Sequence, residues 1–270
     1  MAYGLLKGKR GIISGALDEK SIAWKVALKA KEEGAIFTLT NAPIAMRMGA
    51  IKELAEKCEA EIIPADATST EDLENLFVKS QEVLGGKVDF VLHSIGMSPN
   101  IRKGKSYTDL NYDWYKQSVD ISAMSFHKMM QTAYKLDAIN EWGSIVALTY
   151  MAAQRTFSFY GDMADAKATL ESIARSFGYH YGKFRNVRVN TVSQSPTPTT
   201  AGGGIGGFDR FYEFAEKMAP MGNATADQCA EYVMTLFSDY TRMVTMQNLF
   251  HDGGFSMTGV SEELMEMLKM

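Results

Sequence analysis

Short apolar runs alternate along this chain with longer stretches in which apolar residues recur every three or four positions. RGIIS (Arg10 to Ser14) predicts a strand, and SIAWKVALKAKEEG after it carries Ile22, Ala23, Val26, Ala27 and Ala30 at helical spacing. Gly34 closes that helix as a C-terminal cap, and AIFTL is the second strand. A helix is expected over about 45–58, then a third strand in AEIIPAD, then a helix over 70–84 opened by the capping-box pattern STED. VDFVLHS reads as a strongly apolar fourth strand and 109–135 as one long helical region. GSIVALT is the fifth strand, 158–181 the next helix and NVRVNTVS the sixth strand. A helix over 226–238 and a last strand in TMQNLFHDGG complete the pattern.

Strands separated by helices of this length pair in parallel, with the helices covering both faces of the sheet. No internal repeat, coiled coil or Pro- and Ser-rich linker divides the chain, so residues 1–270 are expected to form one α/β domain built on a doubly wound parallel sheet. Ligands of such sheets bind beyond the carboxyl ends of the strands.

Composition narrows the function classes. With 46% hydrophobic and 22% charged residues the chain is ordinary globular material. A net charge of −4 with no basic run speaks against nucleic acid. No apolar stretch approaches the ~18 residues of a membrane span, and MAYGLLKGKRG lacks the apolar core of a signal peptide. Cys58 and Cys229 stand far apart, as reduced thiols of a cytoplasmic protein would, and the four histidines show no metal-ligand spacing.

The turn after the first strand lacks GxGxxG but offers Gly15, five residues, then Ser21 and Ile22. Glycine there lets the backbone approach a pyrophosphate, and the helix N-terminus that follows favours an anion. A literal GxGxxG does occur at Gly202, Gly204 and Gly207, beyond the sixth strand. It is expected to be a surface loop or a lid over a cleft, not a phosphate cradle. The second strand ends in Thr40 and Asn41, neutral groups that lean toward NADH over NADPH, although Arg47 lies six residues further on. Tyr160 and Lys167 are seven residues apart and so share a helix face. A neighbouring ammonium favours negative charge on a phenol oxygen. Spacing alone favours the plainer reading, a half-buried tyrosine and a solvated lysine. Tyr150 falls at the end of the fifth strand, where active-site groups of such sheets gather.

Taken jointly, Gly-x5-Ser-Ile, HSIG, Tyr150 and Tyr160-x6-Lys167 resemble the enoyl-acyl-carrier-protein reductases, a branch of the short-chain dehydrogenase/reductase superfamily. The resemblance runs from GKRGIISG to HDGGFS. Ordinary superfamily members carry Tyr-x3-Lys and a serine thirteen residues before the tyrosine; those positions are Ala164 and Ala147 here. The resemblance implies a Rossmann-like fold, NADH as cofactor, and Tyr150, Tyr160 and Lys167 as catalytic residues. It assigns Gly15, Ser21, Ile22, Thr40, Asp66, Ala67, Ser94, Ile95, Gly96, Leu148, Lys167, Pro196, Thr197 and Thr199 to the cofactor. Met97, Ser98, Tyr150, Tyr160, Met163, Ile205 and Phe208 fall to the substrate, under a lid at about 197–218. The implied partners are an enoyl group carried on acyl carrier protein and further copies of the chain in a homotetramer.

Two departures stand out. The family's AGPIRT reads QSPTPT, placing Gln194, Ser195 and Thr197 near the nicotinamide, and Thr40 stands where glutamine is common. The implied chemistry is hydride addition to the β-carbon of an enoyl thioester, with a tyrosine hydroxyl stabilising the charge that appears on the thioester oxygen. Tyr160 is the expected donor because it shares a face with Lys167. Weak carrier docking is expected at Arg210 and Lys217, diluted by Asp209, Glu213 and Glu216. A ketone or alcohol dehydrogenase on the same fold and a non-catalytic NAD sensor are the competing readings.

Overall fold

A computed structural model describes residues 2–48, 50–200 and 206–268. Its centre is one seven-stranded sheet in the order β3-β2-β1-β4-β5-β6-β7, with every neighbouring pair parallel. The strands are β1 (Arg10–Ser14), β2 (Ile36–Thr40), β3 (Glu61–Ile62), β4 (Val88–His93), β5 (Ile139–Thr149), β6 (Arg188–Gln194) and β7 (Asn248–His251). Each apolar run is short because both sheet faces are covered, so successive residues enter different cores. Ile12, Val91 and Ile145 pack into one layer while Ile13, Leu92 and Val146 pack into the other. The doubly wound parallel sheet expected from the pattern is thus present.

The helices are α1 (Ile22–Glu32), α2 (Ala50–Cys58), α3 (Thr70–Leu84), α4 (Pro99–Arg102), α5 (Tyr112–Val119), α6 (Ser125–Lys135), α7 (Gly161–Arg185), α8 (Phe208–Met218), α9 (Ala226–Phe237) and α10 (Glu262–Met267). Buried residues of α1, α2 and α9 share one core; those of α3, α6 and α7 share the other.

Three local expectations are corrected. The helical region over 109–135 breaks into α5 and α6 around a π-helical turn, Asp120–Met124. The wider turn brings Ser122 Oγ to the segment after β4, where it accepts from Met97 N at 3.0 Å and donates to Met97 O at 3.2 Å. The third strand shrinks to two residues because Pro64 has no N–H to pair; Ile63 and Ala65 still donate to Leu39 and Asn41 carbonyls on either side of it. STED forms half of a capping box, since Ser69 Oγ accepts from Asp72 N while the Asp72 carboxylate turns to Ser69 Oγ and Asp66 N. The complete, reciprocal box is Thr225 with Gln228 at the start of α9.

The chain reverses its winding between β1 and β4, so the loops after these strands diverge above the sheet. That is where a ligand crevice is expected. Gly15 makes the crevice tight. Its φ is +90°, and a Cβ there would meet Ser94 O at 2.0 Å, so the site admits only glycine.

Candidate active site

A cavity of ≈ 240 Å³ opens at the carboxyl end of the sheet. Its floor is Ser94, Ile95 and Gly96 after β4, beside Leu148 and Thr149 at the end of β5. Ile22 at the start of α1 closes one end, and Pro196, Thr197 and Thr199 after β6 form a flank. The substrate-side residues Met97, Ser98, Tyr150, Tyr160, Met163 and Phe208 line the same cavity, as does Lys167. A smaller pocket near the end of β2 is lined by Thr40, Ala67 and Ile95. Gly15 and Ser21 shape the turn beside the cavity without lining it. The Ser21 hydroxyl is spent within that turn, donating to Asp18 O at 2.7 Å and accepting from Leu17 N at 3.3 Å. Asp66 is exposed, and its carboxylate caps Thr68 instead of facing either pocket. Ile205 lies outside the described residues.

Tyr160 is the residue just before α7, and Lys167 follows two turns along the same face. Lys167 is 8% exposed, and its ammonium donates one hydrogen bond, to Leu148 O at 2.9 Å. Its other N–H groups remain available to a ligand. Burial lowers its pKa to about 8, against the opposing pull of the Glu171 carboxylate. Burial raises both tyrosine phenols, so both are neutral donors at physiological pH. Their rings meet at 5.1 Å between centroids. The Tyr150 hydroxyl is sealed and without a partner, and Tyr160's makes no hydrogen bond among the described residues.

His93, at the end of β4, is no acid or base for this site. It is fully buried against Ser125 Oγ at 2.8 Å, and burial together with the nearby Lys167 charge lowers its pKa to about 3.

The wall opposite the sheet is aromatic. Phe157 stands 5.6 Å from Tyr150, and Phe159 stands 4.8 Å from Phe211 of α8. Phe159, Phe211, Ile101, Arg102 and Thr149 also line the cavity and carry no sequence motif. Only the helical period of α8, with Phe208 and Phe211 on one face, hinted at part of this wall.

Ser98 lines the cavity, but its hydroxyl points away from it. It donates to the buried Asp162 carboxylate at 2.6 Å and accepts from Ile101 N at 3.1 Å. Gln194 is likewise occupied: its Nε2 donates to Ala224 O at 3.0 Å and its Oε1 meets His251 Nδ1 at 2.7 Å. Ser195 Oγ accepts from Ala224 N at 2.9 Å. Two of the three substituted side chains, Gln194 and Ser195, therefore anchor the end of β6 and the residue after it to the loop before α9 and to β7.

The crevice suits a dinucleotide. It has a glycine cradle at Gly15, a buried Thr40 hydroxyl without a partner beside the smaller pocket, and a buried ammonium with spare donors. No group of three or more His, Cys, Asp or Glu that could hold a metal ion occurs among the described residues. Fold and site together define an oxidoreductase of the dinucleotide-binding, doubly wound class.

Comparison with known proteins makes this specific. The family profile described as Enoyl-(Acyl carrier protein) reductase matches residues 15–256. The NADH-type enoyl-acyl-carrier-protein reductase FabI of Rickettsia bellii is 34% identical over 264 residues, 96% of this chain and 98% of the relative. The crystal structure of a FabI–NADH complex from Alistipes finegoldii superposes with a TM-score of 0.95 at 65% identity, covering 97% of this chain and 92% of the other. FabI from Aquifex aeolicus superposes at 0.87 with 31% identity over 95% and 99% of the two chains. The chain belongs to the NADH-type enoyl-acyl-carrier-protein reductases of the short-chain dehydrogenase/reductase superfamily, oxidoreductases of fatty-acid synthesis.

Proposed function

We propose that this chain reduces the carbon–carbon double bond of a trans-2-enoyl group held as a thioester on acyl carrier protein, with Tyr160 as the oxyanion donor. The observation that carries the assignment is the Tyr160 hydroxyl, unpartnered among the described residues, on the cavity that also receives the buried Lys167 ammonium. NADH, when bound, would supply the hydride to the β-carbon, and the α-carbon then takes a proton from solvent or a relay, completing the saturated thioester. The Tyr160 hydroxyl donates to the thioester oxygen as negative charge accumulates there, in a site whose apolar walls exclude water and strengthen that bond. Lys167 holds the ribose hydroxyls and keeps the local potential positive. Ser94, Ile95, Gly96 and Leu148 form the cofactor floor, Ile22, Thr197 and Thr199 flank it, and Gly15 and Thr40 shape its far end. Met97, Met163, Phe208 and Tyr150 bound the acyl chain.

The segment over about 197–218 acts as the lid of this single domain. Supporting this, Thr200 donates to the Asp18 carboxylate, joining the segment to the turn after β1, and α8 packs its phenylalanines on the aromatic wall. A homotetramer working in the cytoplasm fits the exposed apolar side chains of Met243, Met257 and Leu268. No helix among the described residues is long and apolar enough to cross a membrane.

NADH consumption with crotonyl and longer enoyl thioesters, and none with ketones, is the expected result. Turnover of ketones alone overturns the reading in favour of an alcohol dehydrogenase; NADH binding with no turnover of either substrate overturns it in favour of a sensor.

A further inference from the structure

Glu171 lies one helical turn beyond Lys167 on α7, so the two side chains share a face. It is 4% exposed and has no ion-pair partner within 4 Å among the described residues. Its two oxygens are tied down nonetheless. Oε1 accepts from Thr149 Oγ1 at 2.9 Å and Oε2 accepts from Gln154 Nε2 at 2.9 Å. Lys167 donates to the carbonyl of Leu148, the residue before Thr149. Consecutive residues at the end of β5 thus anchor both members of a buried pair of opposite charges.

A buried carboxylate without a counter-charge is costly, and the other titratable groups around Lys167 supply none. His93, from β4, is held neutral by its burial. Tyr150 and Tyr160 are neutral for the same reason. The turn Asp120–Met124 presents the uncharged Ser122, and its Asp120 is engaged by Lys128 at 2.8 Å.

We propose that Glu171 is a positioning residue of this active site: its carboxylate is the counter-charge that keeps Lys167 protonated and its ammonium aimed into the cofactor cleft. The proposal rests on the reading of Lys167 as a cofactor ligand. In Glu171→Gln the carbonyl still accepts from Thr149, and a flip of the Gln154 amide accommodates the new NH₂, so charge is the main thing removed. Gln154→Leu is the converse, removing one anchor and leaving the charge.

The readout is kcat/KM for NADH against pH, which reports groups of the free enzyme. With the Lys167 pKa lowered to about 8, the native activity is expected to fall as pH rises through that value. In Glu171→Gln that falling limb moves down by about one pH unit, giving about a fivefold loss at pH 8 that grows toward tenfold above pH 9 and closes toward pH 6. Glu171→Asp, which retains the charge, restores most of the native profile. Gln154→Leu leaves the limb in place while lowering the unfolding temperature. A Glu171→Gln limb coincident with the native one overturns the proposal, as does an equal shift in Gln154→Leu. Lys167→Met checks the underlying reading separately: unchanged NADH affinity would remove Lys167 as a cofactor ligand, whatever Glu171 does.

Discussion

The two tyrosines give the sharpest test of the chemistry, because the same Tyr→Phe change has opposite expectations at the two positions. At Tyr160 the change leaves the ring packed against Tyr150, 5.1 Å between centroids, and removes a hydroxyl that makes no hydrogen bond among the described residues. Stability should therefore scarcely change. The lost donor to a developing oxyanion is worth about 2.7–4 kcal/mol, so kcat with saturating NADH and crotonyl thioester should fall about 10²- to 10³-fold. At Tyr150 the hydroxyl is sealed and unpartnered. A buried hydroxyl in that condition costs about 1–3 kcal/mol, so Tyr150→Phe should unfold at higher denaturant, with kcat reduced less than about tenfold. Steady-state NADH oxidation and urea unfolding on both variants decide the matter. A Tyr160→Phe enzyme that turns over at the native rate, or a Tyr150→Phe enzyme slowed more than Tyr160→Phe, would refute the assignment.

The cofactor crevice and the walls around it support further tests. Gly15→Ala would place a Cβ 2.0 Å from Ser94 O at a φ of +90°. The turn must open, and NADH affinity measured by fluorescence titration should fall at least about tenfold, since strain of about 1–2 kcal/mol enters before any overlap is relieved. Asp162 is fully buried and accepts from Ser98 Oγ, Asn100 Nδ2 and Ser118 Oγ at 2.6–2.8 Å. Asp162→Ala strands three donors and should cost about 3 kcal/mol or more in urea unfolding. Lys217 is paired with Glu213 at 3.4 Å and Glu263 at 3.9 Å. Arg210 makes no ion pair among the described residues, so the carrier docking proposed on α8 would draw mainly on that one charge, and KM for the carrier-bound substrate should rise only a few-fold with added salt; complete insensitivity would argue against docking there.

The sheet was legible because its chemistry is repetitive. The runs RGIIS, AIFTL, VDFVLHS and GSIVALT are apolar, bounded and spaced by helical periodicity, and the strands end at Ser14, Thr40, His93 and Thr149, within one residue of where the pattern stops. The break between α5 and α6 was not legible. The π turn there serves a tertiary contact, Ser122 to Met97, that no local period encodes. The same holds at the site. Glycine and a Tyr-x6-Lys spacing leave a mark in sequence because one backbone angle and one helix face demand them. Phe211 shows only through the helical period of α8, and Phe159 and Arg102 leave no mark, since the segment before α7 and the packing of α4 bring them to the cavity. Gln194 and Ser195 looked like changes in the nicotinamide pocket, but the structure spends their polar atoms on Ala224, Thr225 and His251. Ser98 shows that lining a cavity and offering a polar group to it are separate properties.

Hydride destination is the most direct test of enoyl reduction. NADH deuterated at the transferable position should be incubated with crotonyl thioester and the purified chain, and the acyl product examined by mass spectrometry and NMR. Reduction with Tyr160 and Lys167 in their proposed roles predicts one deuterium at the β-carbon of a saturated butyryl thioester, with that label lost from the NADH. An unlabelled acyl chain, or deuterium delivered to a carbonyl carbon to give an alcohol, would contradict it.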